Sequence, residues 1–392
     1  MIRHAELFAK AIYPRVRFDL RNDYNENLLE HSKLDTHRNP VDSILSEYCR
    51  LSAPNMPPIH FAYIDSPRMD AVAVFFKAAG CGYVGICTGT VSLIYDMFYR
   101  MLSHPNIRPF VGNRDAESVR DPYSMEGLWT NYNDLRASRS SPHCRAGTLQ
   151  DVVPRDRIRK DYAELLARHA IDFLVLHEIA HIMHGHCGFL AGHHRDACLV
   201  EMEVLDDAPH APHVDPILRQ ALEMDADAYA SLLTWQQGLR IQGRMDQCVR
   251  GLMEHGSNLV IVNELAMQDW TIAIFVLFWM FEQRPTSIAV ENRKHLPAQN
   301  RASLAIAAVM GLALEEGTDE LKSQASRAFA VGMEDAINAV STISGGLLGP
   351  KVQDYLREEC AGAMHPHVHR VVEKWRTVHD EVLSYSFPSV HA

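Results

Sequence analysis

Apolar and polar residues follow two rhythms along this chain. Short apolar runs at Ile59–Ile64, Ala71–Phe76 and 83–87 are bounded by glycine and proline. Runs of that length with those boundaries predict strands of a small sheet. Residues 91–102 carry apolar side chains at helical spacing and predict a helix. The segment 104–150 is rich in Pro, Arg, Ser and Asn, and predicts a long loop or an insertion. Beyond it the helical rhythm dominates. Residues 156–184 predict a long helix and 216–239 a second one, with an irregular, histidine-rich stretch at 185–213 between them. Residues 258–384 are almost wholly helical in pattern, broken at Arg284-Pro285, Leu296-Pro297, Gly345-Gly346 and Gly349-Pro350. Residues 1–58 are helical in part and then irregular, ending in a proline-rich stretch. The expected fold is therefore α+β, mainly α, with a small sheet ahead of a long helix.

Composition narrows the function without choosing it. The 392 residues are 47% hydrophobic and 22% charged, an ordinary globular balance with ample material for a core. The formal net charge is -11 and no basic stripe runs along the chain, which disfavours nucleic acid as a partner. The N-terminal residues lack a long apolar run ending at small residues, so no signal peptide is expected. The apolar stretch 270–281 is shorter than the ~20 residues that cross a bilayer, and predicts a buried helix. Eight dispersed cysteines without a CxxC pair suggest neither a disulfide framework nor a cysteine metal site. These features together lead to the expectation of a cytoplasmic protein with free thiols and no membrane partner.

The chemistry is concentrated in His177-Glu178-Ile179-Ala180-His181, an HExxH motif late in the apolar run of the long helix. Positions i and i+4 share a helix face, so both imidazoles can bind one metal ion. The glutamate between them is then placed to take a proton from water at that ion. Gly185 follows at a plausible helix end. The bland alternative is a helix that carries two surface histidines by chance.

Catalytic zinc usually takes three protein ligands. His184 and Cys187 stand where the elongated HExxHxxGxxH motif needs glycine and histidine, so that class does not apply. The second helix carries Glu223, Asp225 and Asp227 among apolar neighbours, and burying them without a cation or hydrogen bonds would be costly. Glu223 and Asp227 share a face. With Glu223 as ligand, Asp227 is placed to accept an N–H from a ligand histidine. Asp225 points away from both and is the weaker candidate. Ala226 and Ala230 would let this helix approach the first closely. Of the histidines near the motif, His184 could sit near the metal and His186 more naturally caps or packs, and neither is assigned as a ligand. The others, His193, His194, His210 and His213, fit exposed polar residues.

His177-Glu178-xx-His181 on one helix and Glu223-xxx-Asp227 on the next resemble the gluzincin metallopeptidases. The closer likeness is to soluble phage-exclusion (Lit-like) peptidases and to the CAAX-prenyl and heat-shock protease family. It extends to Asp70-Ala71-Val72-Ala73, where those families have asparagine first, and to His295-Leu296-Pro297 with Arg301, where Leu296 is an extra residue. The resemblance covers roughly residues 59–310 and implies a zincin-like core there, preceded by the segment 1–58 and followed by a helical extension at 311–392. It implies one Zn2+ per chain held by His177, His181 and Glu223, Glu178 as general base, and Asp227 behind a ligand histidine. Tyr229 and His295 are candidate oxyanion or substrate donors. Residues 83–89 are expected to form an edge strand that pairs with a peptide substrate. The implied activity is a zinc endopeptidase acting on a protein or peptide, with phage defence as the theme of the soluble branch and room for an activator. Two alternatives stand beside it: a latent defence sensor or toxin-like protein, and a zinc-dependent regulator that binds a partner without cleaving it.

Overall fold

The computed structural model describes residues 58–64, 69–76, 80–117, 152–193, 199–200, 214–249, 259–282, 293, 295–316, 319–343 and 366–387. The first three strands are β1 (Ile59–Ile64), β2 (Ala71–Phe76) and β3 (Cys81–Cys87). Helices α1 (Thr88–Leu102), α2 (Arg157–Met183) and α3 (His186–His193) follow, then the two-residue strand β4 (Leu199–Val200). The remaining helices are α4 (Pro216–Val249), α5 (Leu259–Glu282), α6 (Ala298–Glu316), α7 (Asp319–Ile343) and α8 (Pro366–Leu383). The expected class, α+β and mainly α with a small sheet ahead of the long helix, is what the chain adopts.

The sheet order is β1-β3-β2-β4. β3 pairs in parallel with β1, from Ile59↔Gly82 to Ile64↔Cys87, and antiparallel with β2, from Ala71↔Ile86 to Phe76↔Cys81. β4 extends β2 only at Val72 and Ala73. This corrects the expected edge strand at 83–89. Residues 83–87 lie on the inner strand, whose two rows of backbone groups are already engaged on both sides, and Thr88 and Gly89 are the first residues of α1. The sequence pattern could not show this, because an apolar run reads the same for an inner and a covered edge strand.

α2 is the central element. It packs against α4, α1 and α5, and also against β2 and β3. With neighbours on every side it is buried nearly all round from Leu166 to Met183, leaving it almost no solvent face. The sheet lies close to α2 at Gly82, where an added Cβ would be 2.9 Å from Ile182 Cδ1. Asp156 caps the helix by accepting from Arg159 N.

At the other end His184 is the C-cap and Gly185 turns the chain at φ +83°. A side chain there would strike the backbone of Tyr385 at 2.5 Å, because the segment after α8 lies over this turn and Phe387 N donates to Met183 O. The short α3 begins at once, so the expected irregular stretch from 185 opens with a helix; residues 194–198 and 201–213 lie outside the described residues.

The expected loop at 104–150 is compact in its first part. The buried Arg159 guanidinium donates to the carbonyls of Leu102, His104, Ile107, Arg108 and Val111, which fixes the turns after α1. Arg108, at φ 48°, ties the same turns to Asp269 of α5 and Asp335 of α7. A single turn of 3-10 helix, Arg114–Ala116, follows, and residues 118–151 lie outside the described residues. Most of the expected segment 1–58 does so too.

One core cluster runs from Ile59 to Val382, and the limit drawn at 310 falls within α6. Within α5, Glu264–Glu282 is long and apolar enough to cross a membrane, but 78% of that window is buried inside the fold. Packing against α7, α6 and α2 accounts for its apolarity.

Candidate metal centre

α2 and α4 meet where both carry small or short residues. Ala226 and Ala230 are fully buried, and they bring Glu223 against the last turns of α2. His177 Nε2 lies 3.0 Å from His181 Nε2 and 3.1 Å from Glu223 Oε2, and His181 Nε2 lies 3.6 Å from the same oxygen. Ligands about 2.0–2.1 Å from a tetrahedral zinc stand ~3.3 Å apart, so these three atoms have the spacing of a coordination face. His177, His181 and Glu223 could hold a metal ion.

The protonation states suit that use. Burial pushes His181 down to about 3, only partly offset by Glu223, so its imidazole is neutral near pH 7. Burial would raise the Glu223 carboxyl. The neighbouring His295 and His181, with hydrogen bonds from His177 and His181, outweigh burial and hold it well below the usual carboxylate range. The centre thus offers the neutral His181 imidazole, the His177 imidazole beside it and one carboxylate, a donor set suited to a divalent ion.

Each of the two histidines is held from behind. His177 Nδ1 lies 2.9 Å from Asp227 Oδ1. Arg301 of α6 grips Asp227 with Nε 2.7 Å from Oδ2 and Nη2 2.8 Å from Oδ1. Burial raises the Asp227 carboxyl, but the Arg301 charge and hydrogen bonds prevail and keep it ionised. His181 Nδ1 lies 2.9 Å from His186 Nδ1. His186 Nε2 is in turn 3.2 Å from Asp225 Oδ2, an oxygen that also lies 2.5 Å from His184 Nδ1.

His177, His181 and Glu223 converge, and Asp227 stands behind His177. Glu178 is buried on the same helix, next to His177. His295 Nδ1 lies 3.5 Å from Glu223 Oε2, with its side chain 21% exposed. Tyr229 packs its ring edge-on to His184, with centroids 4.5 Å apart, on the Asp225 side of α4. Asp225 does turn away from the three converging donor atoms, but it meets His184 and His186. His186 is not merely a cap: its ring reaches back to His181. The signal for this was present as the H-G-H triplet at 184–186 together with a spare carboxylate on the facing helix. Arg301 was marked by resemblance without a partner, and Asp227 is that partner. His194, His210 and His213 lie outside the described residues.

No family model, curated protein or solved structure matches the chain.

Proposed function

We propose that the chain is a zinc-dependent endopeptidase of the gluzincin kind. The observation that carries the reading is the meeting of three metal-type donors from two helices within 3.6 Å, with Glu178 beside one of them. Bound zinc would acidify water and polarise a scissile carbonyl. His177 and His181 present lone pairs, and Glu223 contributes the negative charge. Glu178 accepts the proton of the attacking water and passes it to the leaving amine nitrogen. Asp227 orients the His177 ring, and Arg301 holds Asp227. His295, the most exposed group beside Glu223, is the donor best placed to reach a substrate carbonyl oxygen from solvent. A setting in phage defence rests on the resemblance to Lit-like peptidases and forms part of the same proposal, as do a cytoplasmic location and a protein or peptide substrate.

One observation favours a second reading, in which proteolysis is latent or absent and the loaded centre serves binding. His177, Glu178, His181 and Glu223 are each no more than 2% exposed, so a peptide must displace something to reach them. Glu178→Gln separates the two. The peptidase reading expects protein-bound zinc near one per chain in both forms, and a cleavage profile that vanishes in the variant. A cellular phenotype that survives Glu178→Gln, with zinc retained, favours binding without cleavage.

A further inference from the structure

We propose that His186 and Asp225 are positioning residues for His181, setting which of its nitrogens carries the proton. The proposal rests on the reading of His177, His181 and Glu223 as a metal centre. A neutral imidazole has one N–H and one lone pair. His181 and His186 face each other through Nδ1 atoms 2.9 Å apart, so a single proton lies between them. If His181 presents its Nε2 lone pair to a metal beside His177 and Glu223, its proton is on Nδ1 and it donates to His186. His186 then carries its own proton on Nε2, 3.2 Å from an Asp225 carboxylate oxygen, an electrostatic approach that falls short of hydrogen-bond geometry. The direction of the chain is fixed at both ends: a metal lone pair at one, a carboxylate that can only accept at the other. His177 has its carboxylate directly, in Asp227. His181 has its carboxylate through one intervening ring.

Packing holds this second arm in place. His186 is fully buried and follows the tight turn at Gly185 that the Tyr385 backbone covers. The Trp375 ring of α8 stands edge-on to it at 5.9 Å. Asp225 is anchored from the other side by His184.

The same residues invite a rival reading, since His184, His186 and Asp225 also bring donor atoms together and could hold a second ion. Proton counting separates the two. A metal on His186 Nε2 would move the His186 proton to Nδ1, where it would meet the His181 Nδ1 proton head-on. The two centres therefore exclude one another while His181 is neutral and ligated. The 2.5 Å approach of His184 to Asp225 is also a hydrogen-bond distance, shorter than the ~3.3 Å between ligands of one tetrahedral ion.

The test uses the full chain, stripped of metal and titrated with cobalt(II), whose visible absorption reports the ligand set. Wild type should bind one cobalt per chain. His186→Phe keeps the ring but loses the acceptor. It should show the same band positions with affinity lowered by about 10–100-fold, as loss of a group supporting a ligand does. His186→Asn, whose Oδ1 can accept where Nδ1 did, should recover most of the loss, and Asp225→Asn should fall between. Thermal melting of each apo variant identifies the folded ones to compare. Unchanged cobalt affinity in folded His186→Phe or, should that variant not fold, in Asp225→Asn overturns the proposal and leaves the metal centre standing. Two cobalt ions per wild-type chain, with bands lost in the His186 variants, would make His186 a ligand and overturn it too. Wild type that binds no cobalt removes the metal centre itself, and the proposal with it.

Discussion

His177 Nδ1 lies 2.9 Å from Asp227 Oδ1, and so a side chain of α2 is aimed by a side chain of α4. The relationship extends further. Arg301 of α6 fixes Asp227 by a two-pronged contact, and its guanidinium lies over the Phe278 ring of α5 at 4.3 Å. Four helices thus contribute to the direction of one imidazole.

Ligand and support should separate in metal affinity. Glu223→Ala removes a donor atom of the centre and should largely abolish zinc retention. Asp227→Asn keeps the shape, loses the charge behind His177, and should cost about 10–100-fold in affinity. Competition with a coloured chelator measures both. If Asp227→Asn releases the metal and Glu223→Ala holds it, the two roles are reversed.

Arg301→Met tests the cost of an unpaired buried carboxylate. Arg301 and Asp227 side chains are 4% and 2% exposed. Removing one partner of such a pair destabilises by about 3–5 kcal/mol, because the remaining charge has lost its compensation. Urea unfolding of the apo protein should show a loss of that order. A loss below about 1 kcal/mol, the range of an exposed pair, would mean that water reaches Asp227.

Two buried groups on α2 give opposite pH dependences. Burial, aided by the Arg168 charge, pushes His169 down to about 4. Its neutral form supports the fold above the unfolded value near 6.5, and that support is lost as pH falls from there through 4. Burial pushes Asp172 up to about 6 against the pull of Arg168. Its neutral form supports the fold below the unfolded value near 3.9, and that support is lost as pH rises through 6. Each is worth about 3 kcal/mol at most, and across pH 4–6 the slopes oppose one another. Relative to wild type, His169→Gln should gain stability toward pH 4, and Asp172→Asn should gain it toward pH 7. Unfolding free energies at pH 4.5 and 7 check the signs.

Two glycines should respond oppositely to alanine. Gly185 has φ +83° and the Tyr385 backbone within 2.5 Å of a would-be Cβ, so Gly185→Ala meets both strain and a clash. It should cost about 1–3 kcal/mol and displace His186. Gly311, within α6, has nothing within 4 Å of that position. Gly311→Ala should therefore raise stability by about 0.5–1 kcal/mol through helix propensity. Differential scanning calorimetry of the two variants reads both effects.

What the sequence alone determined is local. Short apolar runs and their punctuation placed β1 and β2 at their observed ends, and the apolar rhythm with Asp156 before it and Gly185 after it bounded α2 to within a residue or two. Caps, turn glycines and side-chain periodicity act over a few residues, so a sequence displays them directly. The i, i+4 rule likewise put His177 with His181, and Glu223 with Asp227, on shared faces. Only the tertiary structure decided relations between elements. β3 is the inner strand because the chain threads it between β1 and β2, which no run of apolar residues encodes. Asp225, the weaker candidate by its place on its own helix, faces His184 and His186 because α2 ends in a turn that swings His186 back over His181. Arg301 finds Asp227 across 74 positions of chain. These pairings depend on how packed helices bring distant side chains together, and that packing is settled by the whole core at once.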